Sequence, residues 1–183
     1  MTVVPERRSK GLGFNNGGVI AMNEGATTVD VPALLRALCD SCEKYKGETF
    51  ADLFTEDGVY HDVFYGAFKG REGLEAFNRL VFGAGEDYRW DMFDPVTDGR
   101  MVYARYVFSY RSTLPEANGA RAIFEGVSMI KLRDGKIAEY REIALTAPAL
   151  VEMNFAPERI ARLAAKQGAE LKGRAEAQRH LAD

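Results

Sequence analysis

Two short runs, Tyr60-His61-Asp62-Val63-Phe64 and Tyr140-Arg141-Glu142-Ile143-Ala144, each set a carboxylate among aromatic and apolar neighbours. Both have strand character, and neighbouring residues of a strand point to opposite sides of the sheet. Tyr60, Asp62 and Phe64 therefore share one side, as do Tyr140, Glu142 and Ala144. A carboxylate walled by Tyr, Phe and Ala is poorly solvated, so its pKa rises and it becomes a better acceptor for the proton of a carbon acid next to a carbonyl. Asp62 is the first candidate for that base, Glu142 the second carboxylate, and Tyr60 a hydroxyl donor beside them. Each also has a structural use: an Asp at a strand end bonds to turn amides, and a Glu on a sheet joins ion pairs. His61 has the opposite parity and is expected to face away from the site, bonded to a neighbour.

Other chemistries fit poorly. The only imidazoles, His61 and His180, lie in distant segments without ligand spacing, so no metal site and no cofactor is expected. Cys39-Asp40-Ser41-Cys42 is a CxxC inside a helical pattern, not after a strand, and lacks the further ligands of a zinc site. Gly11 and Gly13 precede no strand-to-helix unit, which removes a nucleotide fingerprint.

The elements that must position the carboxylates are legible in outline. Residues 1–28, with five glycines among Arg, Lys and Asn, read as a flexible arm. Asp30 can cap a helix with Pro32 in its first turn and Leu34, Leu35 and Leu38 at helical spacing, ending near Lys46-Gly47. A short helix from about Glu48 would bury Phe50, Leu53 and Phe54. A strand at 58–64, a turn through Gly66, Phe68 and Gly70, and a helix at 72–82 follow. Strands are then expected at 89–93, 101–111, 121–132 and 136–145, parted by Thr97-Asp98-Gly99, the loop 115–119 and Arg133-Asp134-Gly135. Helices first and an antiparallel meander after them predict an α+β fold, a curved mixed or antiparallel sheet wrapped around N-terminal helices. The domain covers 29–147, and 148–183 form a helical extension with a long helix from near Pro157 towards Leu181.

Composition bounds the function. The chain has 183 residues and a formal net charge of -3, so it supplies no broad positive field for nucleic acid. No apolar run approaches the roughly 18 residues of a spanning helix, and the start lacks a secretory core, which predicts a cytoplasmic protein without membrane contact. With only Cys39 and Cys42, two reduced thiols are expected.

The run from Phe50 through Asp62, then Gly66 and Gly70-Arg71-Glu72-Gly73, resembles the front half of the SnoaL-like domain. Phe124-Glu125-Gly126-Val127-Ser128 and the stretch from Asp134 to Glu142 resemble its rear half. The resemblance implies the nuclear transport factor 2-like cone, a bent sheet around a deep pocket, in a superfamily that includes ketosteroid isomerases, limonene epoxide hydrolases, polyketide cyclases, dehydratases and members without chemistry. It places Asp62 at the isomerases' general base, whose two oxyanion donors fall on Leu38 and Ser128. Set against the epoxide hydrolases, Tyr60 matches a pocket Tyr, Asp62 stands for an Asn and Glu142 for the water-activating Asp, while Tyr106 and Phe108 replace the charged relay. In the dehydratase pattern Glu43 stands for the Asp of the first helix, without its partner His. Polyketide cyclases also use a pocket carboxylate as acid and base.

Carried through the meander, the same parity gives an aromatic, largely apolar lining. The expected site is catalytic Asp62, Glu142 and Tyr60, with Phe64, Trp90, Tyr106, Phe108, Ser128 and Tyr140 as ligand-binding residues. The expected function is acid–base proton transfer on a hydrophobic polycyclic or terpenoid-like molecule, of isomerase, cyclase or hydrolase type. The alternatives are a non-catalytic binding protein for such a ligand, or an assembly subunit whose own side chains fill the cavity. The opposite sheet face carries Tyr103, Val107, Ile123, Val127, Ile137 and Ile143 crossed by Arg105, Glu125 and Arg141, which predicts a homodimer through that convex face.

Overall fold

The computed structural model describes residues 29–44, 47–83 and 85–182; the expected arm at 1–28 lies outside them. Helix α1 (Val31–Glu43) opens as its sequence dictates, with Asp30 Oδ1 accepting the Ala33 amide at 2.9 Å. It buries Val31, Leu35, Leu38, Cys39 and Cys42, and ends at Glu43, short of Lys46-Gly47. Helix α2 (Gly47–Asp52) buries Phe50 and Ala51. Phe54, expected on that helix, instead begins β1 (Phe54–Asp62), because its backbone registers with Ile137 across a parallel ladder. Tertiary pairing overrides local helical spacing there.

The expected turn around Phe68 is strand β2 (Gly66–Lys69), antiparallel to β1, and α3 (Gly70–Phe82) follows directly. Strands β3 (Gly85–Thr97), β4 (Met101–Ser112), β5 (Arg121–Arg133) and β6 (Lys136–Leu145) form the meander, with β3 much longer than the 89–93 expected. The turn from β5 to β6 has positive φ at Asp134 (52°) and Gly135 (79°), the backbone that makes Asp-Gly a hairpin signal. The sheet order is β2-β1-β6-β5-β4-β3, with only β1 and β6 parallel among the ladders. It is an open mixed sheet and not a closed barrel, with α1 to α3 on its concave face around Phe50, Phe54, Tyr60, Leu74, Phe77, Tyr106 and Tyr140.

The C-terminal extension is broken where one long helix was expected. After helix α4 (Ala147–Glu152), α5 (Pro157–Lys172) begins at Pro157 as expected but stops at Lys172, and a 3-10 turn (Ala175–His180) follows it. Ala149, Leu150 and Met153 enter a second apolar cluster with Ala122 and Phe124, joined by Phe64, Tyr110, Ile160 and Leu163. Lys166 Nζ donates to the Phe64 carbonyl at 2.7 Å. The extension therefore packs on the domain and closes the end of the sheet where β1 stops.

On the convex face, Ile123, Val127, Ile143 and Tyr103 are exposed, whereas Ile137 is wholly buried. Ile137 was expected in the outer field; the register shift between Lys131 and Leu132 changes which residues face out there. The expected triad of Arg105, Glu125 and Arg141 also divides. Arg105 reaches Glu125 at 3.5 Å, but Arg141 sits opposite Met129 and pairs with Glu139 at 2.6 Å. His61 faces this side, as its parity predicts, with Nε2 3.1 Å from Glu139 Oε1.

Candidate active site

The site is built where β1 and β6 run side by side. Tyr60 pairs with Tyr140 in the parallel ladder, and their rings stack at 4.4 Å and 5°. Tyr60 stacks on Phe77 of α3 from its other side at 4.3 Å. Two residues beyond each Tyr come Asp62 and Glu142, on the same face by strand alternation. On β4, Tyr106 lies opposite Gly126, where a Cβ would stand 2.7 Å from the Tyr106 hydroxyl oxygen and 2.5 Å from the Ile143 carbonyl oxygen. Only glycine at 126 lets the Tyr106 hydroxyl lie across β5 towards Glu142.

These side chains surround a cavity of about 90 Å³. Its walls include Tyr60, Phe64, Phe77, Trp90, Tyr106 and Phe108, with Asp62, Glu142 and Asn78 as polar members. Trp90 meets Tyr106, Phe108 and Tyr140 edge-on at 5.8–6.2 Å, which holds its indole in one orientation. Asp62 and Glu142 also border a more open cavity beneath α5, beside Arg141 and Arg174.

The two carboxylates are held differently. Asp62 Oδ1 accepts the amides of Phe64 and Tyr65, both at 2.8 Å, which is the strand-end turn expected of such an Asp. Burial raises its pKa, against the two amides and the charge of Lys166. Glu142 accepts from the Tyr140 hydroxyl at 3.3 Å and from Tyr106. Behind Tyr140, its hydroxyl and that of Ser128 lie 2.8 Å apart, with Ser128 fully buried. Removal from bulk water, then the charge of Asp62, push Glu142 up to about 7, although both tyrosines favour its ionised form. The side chain keeps partial access to the cavity while protein surrounds it. Tyr60, Tyr106 and Tyr140 are all pushed up, chiefly by burial, and are neutral donors at ordinary pH.

Asp62, Glu142, Tyr60, Phe64, Trp90, Tyr106 and Phe108 thus line one cavity, whereas Ser128 and Tyr140 do not. The parity argument put them on the correct side, but Tyr140 is sandwiched by Tyr60 and Trp90 and Ser128 lies behind it. Both act on the site through Glu142. Tyr60 makes no hydrogen bond to either carboxylate among the described residues, so its part is the aromatic wall. Glu43 is not in the lining; its Oε1 accepts the Trp90 amide at 2.7 Å and ties α1 to β3. Cys42 lines the cavity as a thiol, and burial raises both cysteines, Cys39 to about 12, far from thiolate chemistry.

Sequence reasoning missed Asn78, Tyr88, Tyr110 and Phe124 of the lining. A signal existed for Asn78: Leu74, Phe77 and Val81 form the apolar stripe of α3, and Asn78 is the polar residue within it. Among the described residues no group of three or more His, Cys, Asp or Glu could hold a metal ion, and no helix is long and apolar enough to cross a membrane.

A family model for the SnoaL-like domain matches residues 35–140, more than half of the chain. No curated protein matches. Among solved structures, a hypothetical protein with a ketosteroid isomerase-like fold from Catenulispora acidiphila, in complex with trimethylamine, aligns with a TM-score of 0.61 at 16% identity, over 69% of this chain and 98% of that one. A proposed polyketide cyclase from Xanthomonas campestris gives 0.56 at 21% identity, covering 67% and 95%. An LEH-like epoxide hydrolase from M. tuberculosis gives 0.56 at 15%, covering 67% and 90%. At these identities the likeness is one of fold.

Proposed function

This chain belongs to the SnoaL-like domain family, and from that premise we propose that its pocket performs acid–base proton transfer on a small hydrophobic carbonyl compound. The observation that carries the reading is Glu142, a carboxylate in the wall of an aromatic cavity with Tyr106 and Tyr140 as hydrogen-bond donors and a second carboxylate, Asp62, beside it. A base held near 7 is half ionised at neutral pH, so it can take a proton and return it. In the proposed step the Glu142 carboxylate removes a proton from the carbon next to the carbonyl. The C–H electron pair forms the enolate C=C bond, and charge passes to the carbonyl oxygen. Return of the proton to a different carbon gives an isomer, and attack of the enolate carbon on a second carbonyl of the same molecule gives a ring, the proton held by Glu142 passing to the new alkoxide. No oxidant is needed for either.

Glu142 takes precedence over Asp62 because Asp62 Oδ1 is already committed to two backbone amides. The fixed Asp62 charge keeps the Glu142 proton affinity high, and its Oδ2, which accepts no bond from the described residues, serves as the second acid–base group. The cavity leaves room for a small ligand. It also weighs against a subunit whose own side chains fill the space. A binding protein without chemistry is the second reading, favoured by the turn-capping role of Asp62. We further propose that two copies pair through the convex face, on the exposure of Ile123, Val127 and Ile143.

Proton NMR in D2O with a panel of cyclic ketones tests the reaction. The protein should catalyse deuterium incorporation next to the carbonyl, with a rate that rises through about pH 7 and falls by about 10²–10⁴-fold in Glu142→Gln. Exchange no faster than in buffer across the panel rejects proton transfer and leaves the binding reading.

A further inference from the structure

Asn78 is 1% exposed, lines the cavity, and has no hydrogen-bond partner for either its amide nitrogen or its carbonyl oxygen among the described residues. Trp90 is 5% exposed, lines the same cavity, and its Nε1–H is likewise unpartnered. No other buried side-chain nitrogen or oxygen of the described residues lacks a partner. An unpaired buried polar group costs about 1–3 kcal/mol, and native interiors rarely tolerate one. Here the residues that carry the unpaired atoms line a single cavity, on α3 and β3, across from the carboxylates that β1 and β6 supply, while the atoms themselves are covered.

We propose that Asn78 and Trp90 are the carbonyl-recognition pair of this pocket. The amide N–H of Asn78 and the indole N–H of Trp90 donate to the carbonyl oxygen of the ligand, and Asn78 Oδ1 accepts from a hydroxyl where one is present. The chemistry of the donors selects the ligand class. Two neutral donors with no cation suit a neutral ketone or enone and not a carboxylate or phosphate, whose charge they would leave unpaired in an apolar wall. The position is fixed from both sides: Glu43 holds the Trp90 backbone, and Phe77 beside Asn78 stacks on Tyr60. The inference rests on the proton-transfer reading only for its consequence, since donors aimed at the carbonyl oxygen would stabilise the enolate that Glu142 forms.

The variants have opposite signatures in stability and binding. Asn78→Leu keeps the side-chain size and removes both unpaired atoms, so the melting temperature should stay or rise, because replacing unsatisfied polar atoms by apolar ones of the same shape carries no penalty. Binding should move the other way. Calorimetric titration with 1-tetralone and with tetralin, the same two rings without the oxygen, should give a ketone preference of about tenfold or more in the wild type. Asn78→Leu and Trp90→Phe should each bring that ratio towards one, and Trp90, the only tryptophan, reports occupancy by its emission. Equal affinities in the wild type, no binding of either probe, a preference unaltered in both variants, or a melting temperature several degrees lower in Asn78→Leu would each overturn the proposal. Glu142→Gln should keep the ketone preference. If the wild type shows the ketone preference but catalyses no deuterium exchange, the proton-transfer reading falls and the recognition pair stands.

Discussion

Glu142→Gln separates the electrostatics of the site from its chemistry. In the folded protein Glu142 titrates near 7 instead of its ordinary 4.5, so the native state holds a proton that the unfolded chain releases. Below about pH 4.5 the group is protonated in both states and contributes nothing. As pH rises towards 7 the unfolded chain ionises first and stability falls, and above about 7 the loss is complete. At roughly 1.4 kcal/mol per pH unit the full loss is up to about 3 kcal/mol, lessened by water in the cavity. Gln is neutral, nearly the same size, and its oxygen can still accept from Tyr140 and Tyr106. The variant should therefore match the wild type at pH 4.5 and exceed it by up to about 3 kcal/mol at pH 8.5, or about 6–12 °C in melting temperature for a chain of this size. Asp62, whose pKa is also raised by burial, is coupled to Glu142, so the difference between the two proteins reports the titration of the pair. Urea unfolding of the two proteins at half-unit steps from pH 4.5 to 8.5 measures it. Parallel profiles would refute the reasoning, because Glu142 would then be solvated as freely as in the unfolded chain.

Asp62→Asn should fold, since an Asn side-chain oxygen can accept the Phe64 and Tyr65 amides as Asp62 Oδ1 does; a loss of deuterium exchange below about tenfold would reduce Asp62 to that turn. Gly126→Ala forces a Cβ to within 2.5 Å of the Ile143 carbonyl oxygen and 2.7 Å of Tyr106, so it should cost about 1–3 kcal/mol, read from chemical denaturation, with an ordinary helix-surface substitution as the control. For the proposed dimer, Ile143→Glu should give a monomer by light scattering at micromolar concentration where the wild type is a dimer, and a monomeric wild type would sink the pairing. Glu125→Ala should change stability by only about 0–1 kcal/mol, because both members of its pair with Arg105 are about half exposed.

The candidate site was legible where alternation alone decides direction. Tyr60 and Asp62 on β1, and Tyr106 and Phe108 on β4, face the cavity as their parity requires, and His61 faces away. The helix cap at Asp30 and the Asp134-Gly135 turn were equally local, because each is fixed by the preference of one or two neighbouring residues. Depth within one side was not legible. Ser128 and Tyr140 have the pocket's parity, yet Tyr60 stacked on Tyr140 and Trp90 set edge-on against it withdraw both from the cavity. Arg141 and Glu125 likewise share a face and do not meet, since the register of β5 against β6 places Met129 opposite Arg141.

From the sequence alone came the α+β class, the two carboxylates and the side of the sheet they occupy, since these follow from periodicity and residue chemistry along a few consecutive positions. The tertiary structure decided that Phe54 leaves its helix for a strand, that α4 and α5 close the end of the sheet, and that Glu142 is the carboxylate held near neutrality. It also decided that Asn78, one polar residue in an apolar stripe, stands unpartnered at the cavity. Each of these depends on groups brought together from distant parts of the chain, and burial, the source of the altered proton affinity, is a property of that assembly and not of any segment within it.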